Sequence, residues 1–201
     1  MGPPIFFGNA GATIPGIIAF WLTFYAWVLS ELWLGWRRRS PQTASADDRG
    51  SRWAVVGGVW SSVALGIALA SAARTFAITA GRPVFLIAGI ALMIAGMVLR
   101  WAAIAILGRS FTVDVATTSG QGVIDRGPYR WVRHPSYSGS LLTVAGVLIA
   151  CANPLAFIGL IPVLIAYAYR IHVEEQVLSQ QLGEAYRAYM RRTRRLIPFL
   201  F

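Results

Sequence analysis

The sequence predicts an all-α integral membrane protein. Of the 201 residues, 56% are hydrophobic and only 13% are charged, whereas a soluble domain carries about 25% charged residues. Long apolar runs alternate with short stretches rich in arginine, glycine and proline. Because the polar backbone must be satisfied internally in hydrocarbon, we interpret these runs as membrane-spanning helices within a single membrane domain, residues 1–201.

About five transmembrane helices are expected. The first three runs are long enough to cross about 30 Å of hydrocarbon. The last two are short, and Asn153 and Pro154 between them indicate a turn in a helical hairpin, with Pro162 interrupting the fifth run. The predicted spans are residues 14–36, 53–73, 83–107, 138–152 and 155–169. Residues 172–192 then show apolar side chains at helical spacing, which predicts an amphipathic carboxy-terminal helix.

The arginines predict the orientation of these spans. The chain has a net charge of +10, and all 18 of its basic residues are arginine. If the amino terminus is outside, 15 arginines fall in cytoplasmic segments and only Arg74 and Arg82 lie outside, as the positive-inside rule favours. The amphipathic helix and the carboxy terminus are then cytoplasmic. In so hydrophobic a chain, this charge favours membrane lipid headgroups over nucleic acid as partners.

Arg100 is the one arginine inside a predicted span. A charge at that depth is costly unless it finds a partner. The side chain either extends to the interface or faces a polar cavity, and we favour the cavity.

A polar stretch between the third and fourth spans is the first candidate site. Residues 127–139 read Gly-Pro-Tyr-Arg-Trp-Val-Arg-His-Pro-Ser-Tyr-Ser-Gly. Hydrocarbon cannot hold this mixture, because each unpaired polar group would be strongly destabilising. Pro128 and Pro135 also oppose a continuous helix. The stretch is therefore either a polar loop with arginine anchors or the lining of a polar site.

Arg170 and Glu174 form the second candidate. They lie four residues apart and share one face of a helix. They are either an interfacial ion pair or an anion-binding arginine beside a cation-binding carboxylate. His172 and Glu175 have a spacing that suits metal, but no third ligand is near, so no metal site is predicted. Cys151 is the single cysteine, which excludes an internal disulfide.

Signatures of other chemistries are missing from the sequence. Gly120-Gln-Gly122 does not follow a buried strand, and there is no phosphate-binding P-loop and no Gly-x-Ser-x-Gly elbow. A membrane scaffold or a small transporter is the non-enzyme alternative. A broken hairpin with intramembrane charge fits a transporter, although no inverted repeat is visible.

Several motifs follow one another in the second half of the chain. They are Gly127-x-Tyr129-x-Trp131-x-Arg133-His134-Pro135-Ser136-Tyr137-x-Gly139, then Asn153-Pro154, then Arg170-x-x-x-Glu174-Glu175, then Gly183-x-x-Tyr186-x-x-Tyr189, and then Pro198. Residues 111–199 resemble, through these motifs, the isoprenylcysteine carboxyl methyltransferase family. The first three spans match only as spans. The phospholipid N-methyltransferases share a looser version of the same pattern.

The resemblance implies a methyltransferase that uses S-adenosylmethionine without a Rossmann domain. Residues 108–201 would be the catalytic module, and residues 1–107 the amino-terminal transmembrane helices. The cofactor would enter from the cytoplasmic side of an inner or plasma membrane. The acceptor would be a lipophilic or prenylated carboxylate from the bilayer, such as an isoprenylcysteine. The short chain resembles a prokaryotic member. Methylation of a phospholipid amine or of a thiol is the alternative, with Glu175 or His172 as the base.

The resemblance also assigns residues to the site. Arg170 and Glu174 are the expected catalytic residues, with Arg170 holding the acceptor carboxylate and Glu174 the cofactor. An ionised carboxylate needs no general base, only positioning and the exclusion of water. The expected cofactor-binding residues are Gln121 (in place of the family's usual His), Gly122, Val123, Ile124, Tyr129, His134, Pro135, Ser136, Tyr137 and Glu174.

Overall fold

The computed structural model describes residues 14–37, 48–108 and 122–197, which are largely helical. Short 3₁₀ turns occupy Arg74–Phe76, Gly127–Arg130 and Pro154–Gly159. In these ranges the one pairing of extended backbone is a parallel bridge between Val132 and Arg194. The all-α prediction is therefore confirmed for this part of the chain. The α-helices are α1 Ile14–Arg37, α2 Ser51–Ala72, α3 Arg82–Leu107, α4 Pro135–Ala150 and α5 Leu160–Arg192.

Four helical segments are long and apolar enough to cross a membrane: α1, α2, α3 and the segment Pro154–Arg192. The fourth helix, α4, has 16 residues and is short for a hydrocarbon core of about 30 Å. The structure therefore supports an integral membrane protein, with four candidate spans and one shorter apolar helix where five spans were expected. Large apolar side chains on the outer faces are exposed, among them Leu22, Leu29, Val84, Ile87, Val98 and Ile165.

The last two predicted elements need a correction. The expected fifth span and the amphipathic helix are one helix, α5, of 33 residues. Pro162 does not interrupt it, because it occupies the first helical turn, where backbone N–H groups have no intrahelical partner. The break comes instead at Gly183, whose φ of 56° and ψ of −132° are not helical. Similarly, α4 begins at Pro135, where the ring suits the first position of a helix.

Two pairs of glycines bring α3 and α4 into backbone contact. A Cβ at Gly96 would lie 2.5 Å from the carbonyl oxygen of Gly139, and one at Gly89 would lie 2.6 Å from that of Gly146. The glycines are seven residues apart on each helix, so both pairs lie on the same seam. This close approach places Arg100, one turn beyond Gly96, beside the start of α4.

The expected turn at Asn153 is confirmed, and it joins the opposite end of α4 to α2. The Asn153 amide donates to the carbonyl oxygens of Ala70 and Ala73 at 3.3 and 3.0 Å, and its side-chain oxygen accepts from the Leu155 N–H at 3.0 Å. The last carbonyl groups of α2 are thereby satisfied. The hairpin formed by α4 and α5 is therefore fixed at the end far from the polar stretch.

We predict that Gly96→Ala destabilises the protein, because the new methyl group would meet the Gly139 carbonyl. Overpacking of this kind typically costs about 1–3 kcal/mol. Gly57→Ala in α2 is the matched control, since a Cβ there has nothing within 4 Å. Thermal unfolding in one detergent should show a lower midpoint for Gly96→Ala alone. Equal midpoints for the two variants would contradict the proposed contact.

Candidate active site

The backbone of the polar stretch is held by the segment that follows α5. The N–H groups of Arg133 and His134 donate to the carbonyl oxygens of Arg194 and Arg195 at 2.7 and 3.0 Å. The hydroxyl of Ser138 donates to the Leu196 carbonyl at 2.5 Å. These bonds satisfy a non-helical backbone that would otherwise be unpaired. They fix the turn from Arg133 to Tyr137 on which the predicted residues stand.

Arg170 and Glu174 meet through the hydroxyl of Tyr137. The Arg170 Nε donates to that hydroxyl at 3.1 Å, and the hydroxyl donates to Glu174 Oε2 at 2.6 Å. Arg170 is 4% exposed, and its Nη1 also donates to the Asp48 carboxylate and, at 2.8 Å, to the Ser51 hydroxyl. The structure thus brings both expected catalytic residues to Tyr137 of the polar stretch.

Asp48, which lies between the first and second predicted spans, was not expected at the site from the sequence. Its Oδ2 accepts from the Arg52 N–H at 3.0 Å, and its Oδ1 accepts from the Ser51 hydroxyl at 3.1 Å. The carboxylate therefore caps α2, where the helix dipole favours a negative charge. An acidic residue shortly before an apolar helix is a capping signal, but the sequence gives no sign of its second partner, Arg170.

His134 is buried and lies between the carboxylates of Glu174 and Glu175 in α5. Its ring stacks on Tyr137, with centroids 5.4 Å apart, and Tyr137 stacks on Tyr167 at 4.8 Å. Its Nδ1 is 3.7 Å from Glu174 Oε2, and its Nε2 is 3.5 Å from Glu175 Oε1. Both distances are long for a hydrogen bond. Nε2 is thus a buried nitrogen without a hydrogen-bond partner among the described residues.

Glu175, one of the two bases expected for an amine or thiol acceptor, takes part in a network of ion pairs. Its Oε1 accepts from Arg133 Nε at 2.7 Å, and its Oε2 accepts from Arg195 Nη2 at 3.0 Å. Arg133 also donates to the carbonyl of Thr193 at 2.6 Å. Two guanidinium groups favour the ionised carboxylate, which makes it a poor proton acceptor. His172 is exposed and lies against Gln176 instead.

A cavity of about 330 Å³ lies between α1 and α2 and reaches the site. Leu32, Trp36, Trp53 and Trp60 form much of its apolar wall, whereas Glu31, Arg100, Tyr137 and Arg170 form its polar end. The predicted orientation of Arg100 toward a cavity is therefore confirmed.

Arg100 pairs with Glu31, which lies within the first predicted span and for which the sequence predicted no partner. Nε and Nη2 donate to the two carboxylate oxygens at 2.5 and 2.7 Å. Nη1 donates to Ser136, to its hydroxyl at 2.9 Å and to its carbonyl at 3.2 Å. The sequence contained one signal for this ion pair: Glu31 and Arg100 carry opposite charges in two different apolar runs, and each charge needs a partner in the membrane.

The remaining expected cofactor-binding residues lie in the 3₁₀ turn Gly127–Arg130 and in the segments on either side of it. Tyr129 is buried, and its hydroxyl donates to the Ala103 carbonyl at 3.4 Å. Burial raises the pKa of Tyr129, so the phenol stays neutral. Pro135 and Ser136 are buried in the first turn of α4. Of the upstream segment, Gly122 is exposed, Val123 and Ile124 are half-buried, and Gln121 lies outside the described residues.

These features define a class of membrane protein: a helical bundle with a polar site of paired charges at the end of an apolar cavity. The profile of the isoprenylcysteine carboxyl methyltransferase family matches residues 89–180, from α3 to the middle of α5. This part of the chain is therefore similar to the isoprenylcysteine carboxyl methyltransferase family.

Similar proteins and a solved structure agree with this placement. A protein-S-isoprenylcysteine O-methyltransferase of Arabidopsis thaliana is 35% identical over 115 residues, which cover 56% of this chain and 58% of the relative. The corresponding protein of Saccharomyces cerevisiae is 34% identical over 56% of this chain and 48% of the relative. The chain thus spans about half the length of these curated relatives.

The solved structure is that of a eukaryotic intramembrane Ras methyltransferase, an isoprenylcysteine carboxyl methyltransferase. It shares 28% identity and a TM-score of 0.55 over 71% of this chain and 51% of that chain. These relatives are eukaryotic, so the expectation of a prokaryotic member has no support from them.

Replacing the buried Glu175 with Gln should destabilise the protein, because Arg133 and Arg195 would lose their shared carboxylate. Breaking a buried ion pair typically costs about 3–5 kcal/mol, and the side chain of Glu175 is 9% exposed. Glu184→Gln is the matched control on the same helix. Its side chain is 67% exposed beside Arg191, so little change is expected. Chemical denaturation that gave equal losses for both would contradict the network.

Proposed function

We propose that this chain transfers a methyl group from S-adenosylmethionine to the carboxylate of a lipophilic acceptor such as an isoprenylcysteine, forming a methyl ester. One observation carries the proposal. The buried guanidinium of Arg170 lies at the polar end of an apolar cavity, and Tyr137 joins it to Glu174. The family, and relatives named as protein-S-isoprenylcysteine O-methyltransferases, support the same reaction.

The cavity suits an acceptor with an apolar chain and an anionic end. Its tryptophan and leucine walls would bury the chain, and Arg170 would hold one carboxylate oxygen while the other reacts. A carboxylate is already ionised at neutral pH, so the site has to position it and exclude water rather than remove a proton. The pairing of Glu175 with Arg133 and Arg195 fits this requirement, because it leaves that carboxylate poorly suited to act as a base.

The residues around His134 fit S-adenosylmethionine. When bound, this cofactor supplies a methyl group made electrophilic by its sulfonium. Glu174 offers a half-buried carboxylate to a hydroxyl or an amino group. The unpartnered Nε2 of His134 and the ring of Tyr137 offer a polar atom and an aromatic face. Tyr129, Pro135 and Ser136, with Gln121 to Ile124, would complete the pocket by resemblance to the family.

A second candidate is methylation of a lipid amine, such as that of phosphatidylethanolamine. The pairing of Arg170 with Asp48 favours it, because the charge of the guanidinium is already balanced by a buried carboxylate. An acceptor headgroup without net charge would then enter the cavity without adding a net negative charge. Its ammonium group would have to give up a proton to a base before the amine nitrogen attacks the methyl group.

We also propose that the site lies at the cytoplasmic face of an inner or plasma membrane, with the amino terminus outside. The start of α2, the end of α3 and the start of α4 meet at the end of the bundle that carries Arg37 and Arg52. Arg74 and Arg82 lie at the opposite end. This distribution of arginine supports the orientation through the positive-inside rule.

Arg170→Ala is expected to lower carboxylate methylation about 10- to 150-fold, which corresponds to losing a charge-assisted bond of about 1.5–3 kcal/mol. Cofactor binding should change little, and Arg170→Lys should restore activity in part, because lysine lacks the planar fork. Transfer of labelled methyl to a prenylcysteine analogue measures the effect. Arg187→Ala, whose side chain is 59% exposed on the same helix, should leave activity unchanged.

The methyl-transfer assay, together with calorimetry of cofactor binding, separates the proposed function from its alternatives. Glu174→Ala should weaken binding of S-adenosylmethionine first, as calorimetry would show. Wild-type protein that binds no S-adenosylmethionine would reject the methyltransferase. Wild-type protein that methylates phosphatidylethanolamine or a thiol, but not the prenylcysteine analogue, would support another acceptor. Normal turnover by Arg170→Ala would reject the role of that residue.

Cysteine labelling tests the orientation. An impermeant maleimide applied outside intact cells should react with Thr79→Cys but not with Gln180→Cys; both positions are exposed. The native thiol should not react, because Cys151 is buried. The reverse labelling pattern would invert the proposed topology.

A further inference from the structure

The ion pair between Glu31 and Arg100 is unusual in its position. The two residues lie in different apolar helices, and their side chains are 28% and 13% exposed, respectively. A charge at this depth is strongly disfavoured alone, so each side chain makes the other tolerable. Such a pair is a costly way to hold two helices together, because apolar residues of similar volume often do so as well. The charges of Glu31 and Arg100 therefore point to a role beyond holding α1 against α3.

The guanidinium of Arg100 is oriented by almost all of its donors. Of its five N–H groups, those on Nε and Nη2 reach the two oxygens of Glu31, and those on Nη1 reach the carbonyl and the hydroxyl of Ser136. The planar group is thus fixed from two sides. Because nearly all of its N–H groups already have partners, we do not expect Arg100 to bind the methyl acceptor, although it lies at the polar end of the same cavity.

The contact with Ser136 reaches the cofactor side of the site. Ser136 is the second residue of α4 and lies in the sequence between His134 and Tyr137, whose rings stack on each other. Its carbonyl and its hydroxyl are both held by Arg100, so the orientation of the first turn depends on where that guanidinium lies. Glu31, the other partner of Arg100, belongs to the cavity wall formed by α1.

From this geometry we propose that Glu31 and Arg100 are positioning residues for methyl transfer: Glu31 orients Arg100, and Arg100 fixes the Ser136 turn against the acceptor cavity. The proposal rests on the proposed function for its chemistry. A shift of about 1 Å between acceptor and donor lowers rates substantially, so the pair would act on cofactor binding and kcat more than on acceptor KM.

The variants that test this are Glu31→Gln, Arg100→Lys and the exchanged pair Glu31→Arg with Arg100→Glu. Glu31→Gln and Arg100→Lys should each raise the Kd for S-adenosylmethionine about tenfold or more and lower kcat, with acceptor KM changed less than threefold. The exchanged pair restores an ion pair between α1 and α3, but a glutamate cannot donate to the Ser136 carbonyl. Its thermal midpoint should therefore recover while its cofactor Kd should not.

A purely structural ion pair predicts a different result. Cofactor Kd and kcat would then follow the thermal midpoint, and the exchanged pair would restore all three, which would overturn the proposal. A wild-type Kd in Glu31→Gln or Arg100→Lys would also overturn it. If the exchanged pair does not fold, a double-mutant cycle of Glu31→Gln with Ser136→Ala replaces it. Additive effects on the cofactor Kd would reject coupling through Arg100.

Backbone hydrogen exchange of residues 131–138 tests the positioning without a bound cofactor. Exchange should be faster in Glu31→Gln and in Arg100→Lys than in wild type. It should be unchanged in Thr23→Ala, because this half-buried side chain of α1 bonds to the Ala19 carbonyl of its own helix. Unchanged exchange in both variants would overturn the inference alone. A third outcome separates the two proposals. If wild-type protein binds no S-adenosylmethionine but both variants still exchange faster than wild type, the positioning is supported and the proposed function is rejected.

Discussion

The site depends on the backbone contact between α3 and α4. Side chains at Gly96 and Gly139 would separate the helices, and Arg100 would then lie too far from Ser136 to donate to it. In a membrane, close approach of this kind is driven by packing between small residues rather than by the hydrophobic effect. A seam of glycines in apolar helices therefore determines the geometry of the polar groups beyond it.

Paired charges then organise the polar end of the bundle. Three carboxylates from three elements, those of Glu31, Asp48 and Glu175, each bind an arginine of another element. Each arginine in turn donates to a residue outside its ion pair: Ser136, Tyr137 or the carbonyl of Thr193. The polar stretch is thus held from several directions, as a site with defined geometry requires. His134, whose Nε2 lacks a hydrogen-bond partner among the described residues, lies at the centre.

The sequence predicts the helices better than it predicts the pairing. Hydropathy located the bounds of α1, α2 and α3 within two residues, because composition and length decide whether a segment spans a membrane. The continuity of α5 was missed, because a proline is read as a break even where it occupies the first turn. Arg170, Glu174 and Tyr137 were expected by family resemblance, and the structure brings them together. Asp48 and Glu31 could not be assigned partners, because ion pairs between distant segments leave no local pattern.

Glu31 and Asp48 both precede residue 89, where the match to the family profile begins, whereas Arg100 and Arg170 follow it. Two cations of the shared region are therefore balanced by anions from the amino-terminal part of the chain, outside that region. A chimaera with a different amino-terminal part would remove the carboxylate paired with each of these two guanidinium groups, unless the graft carried carboxylates at equivalent depths. The two halves of the chain are thus constrained to change together, even though only one of them matches the family.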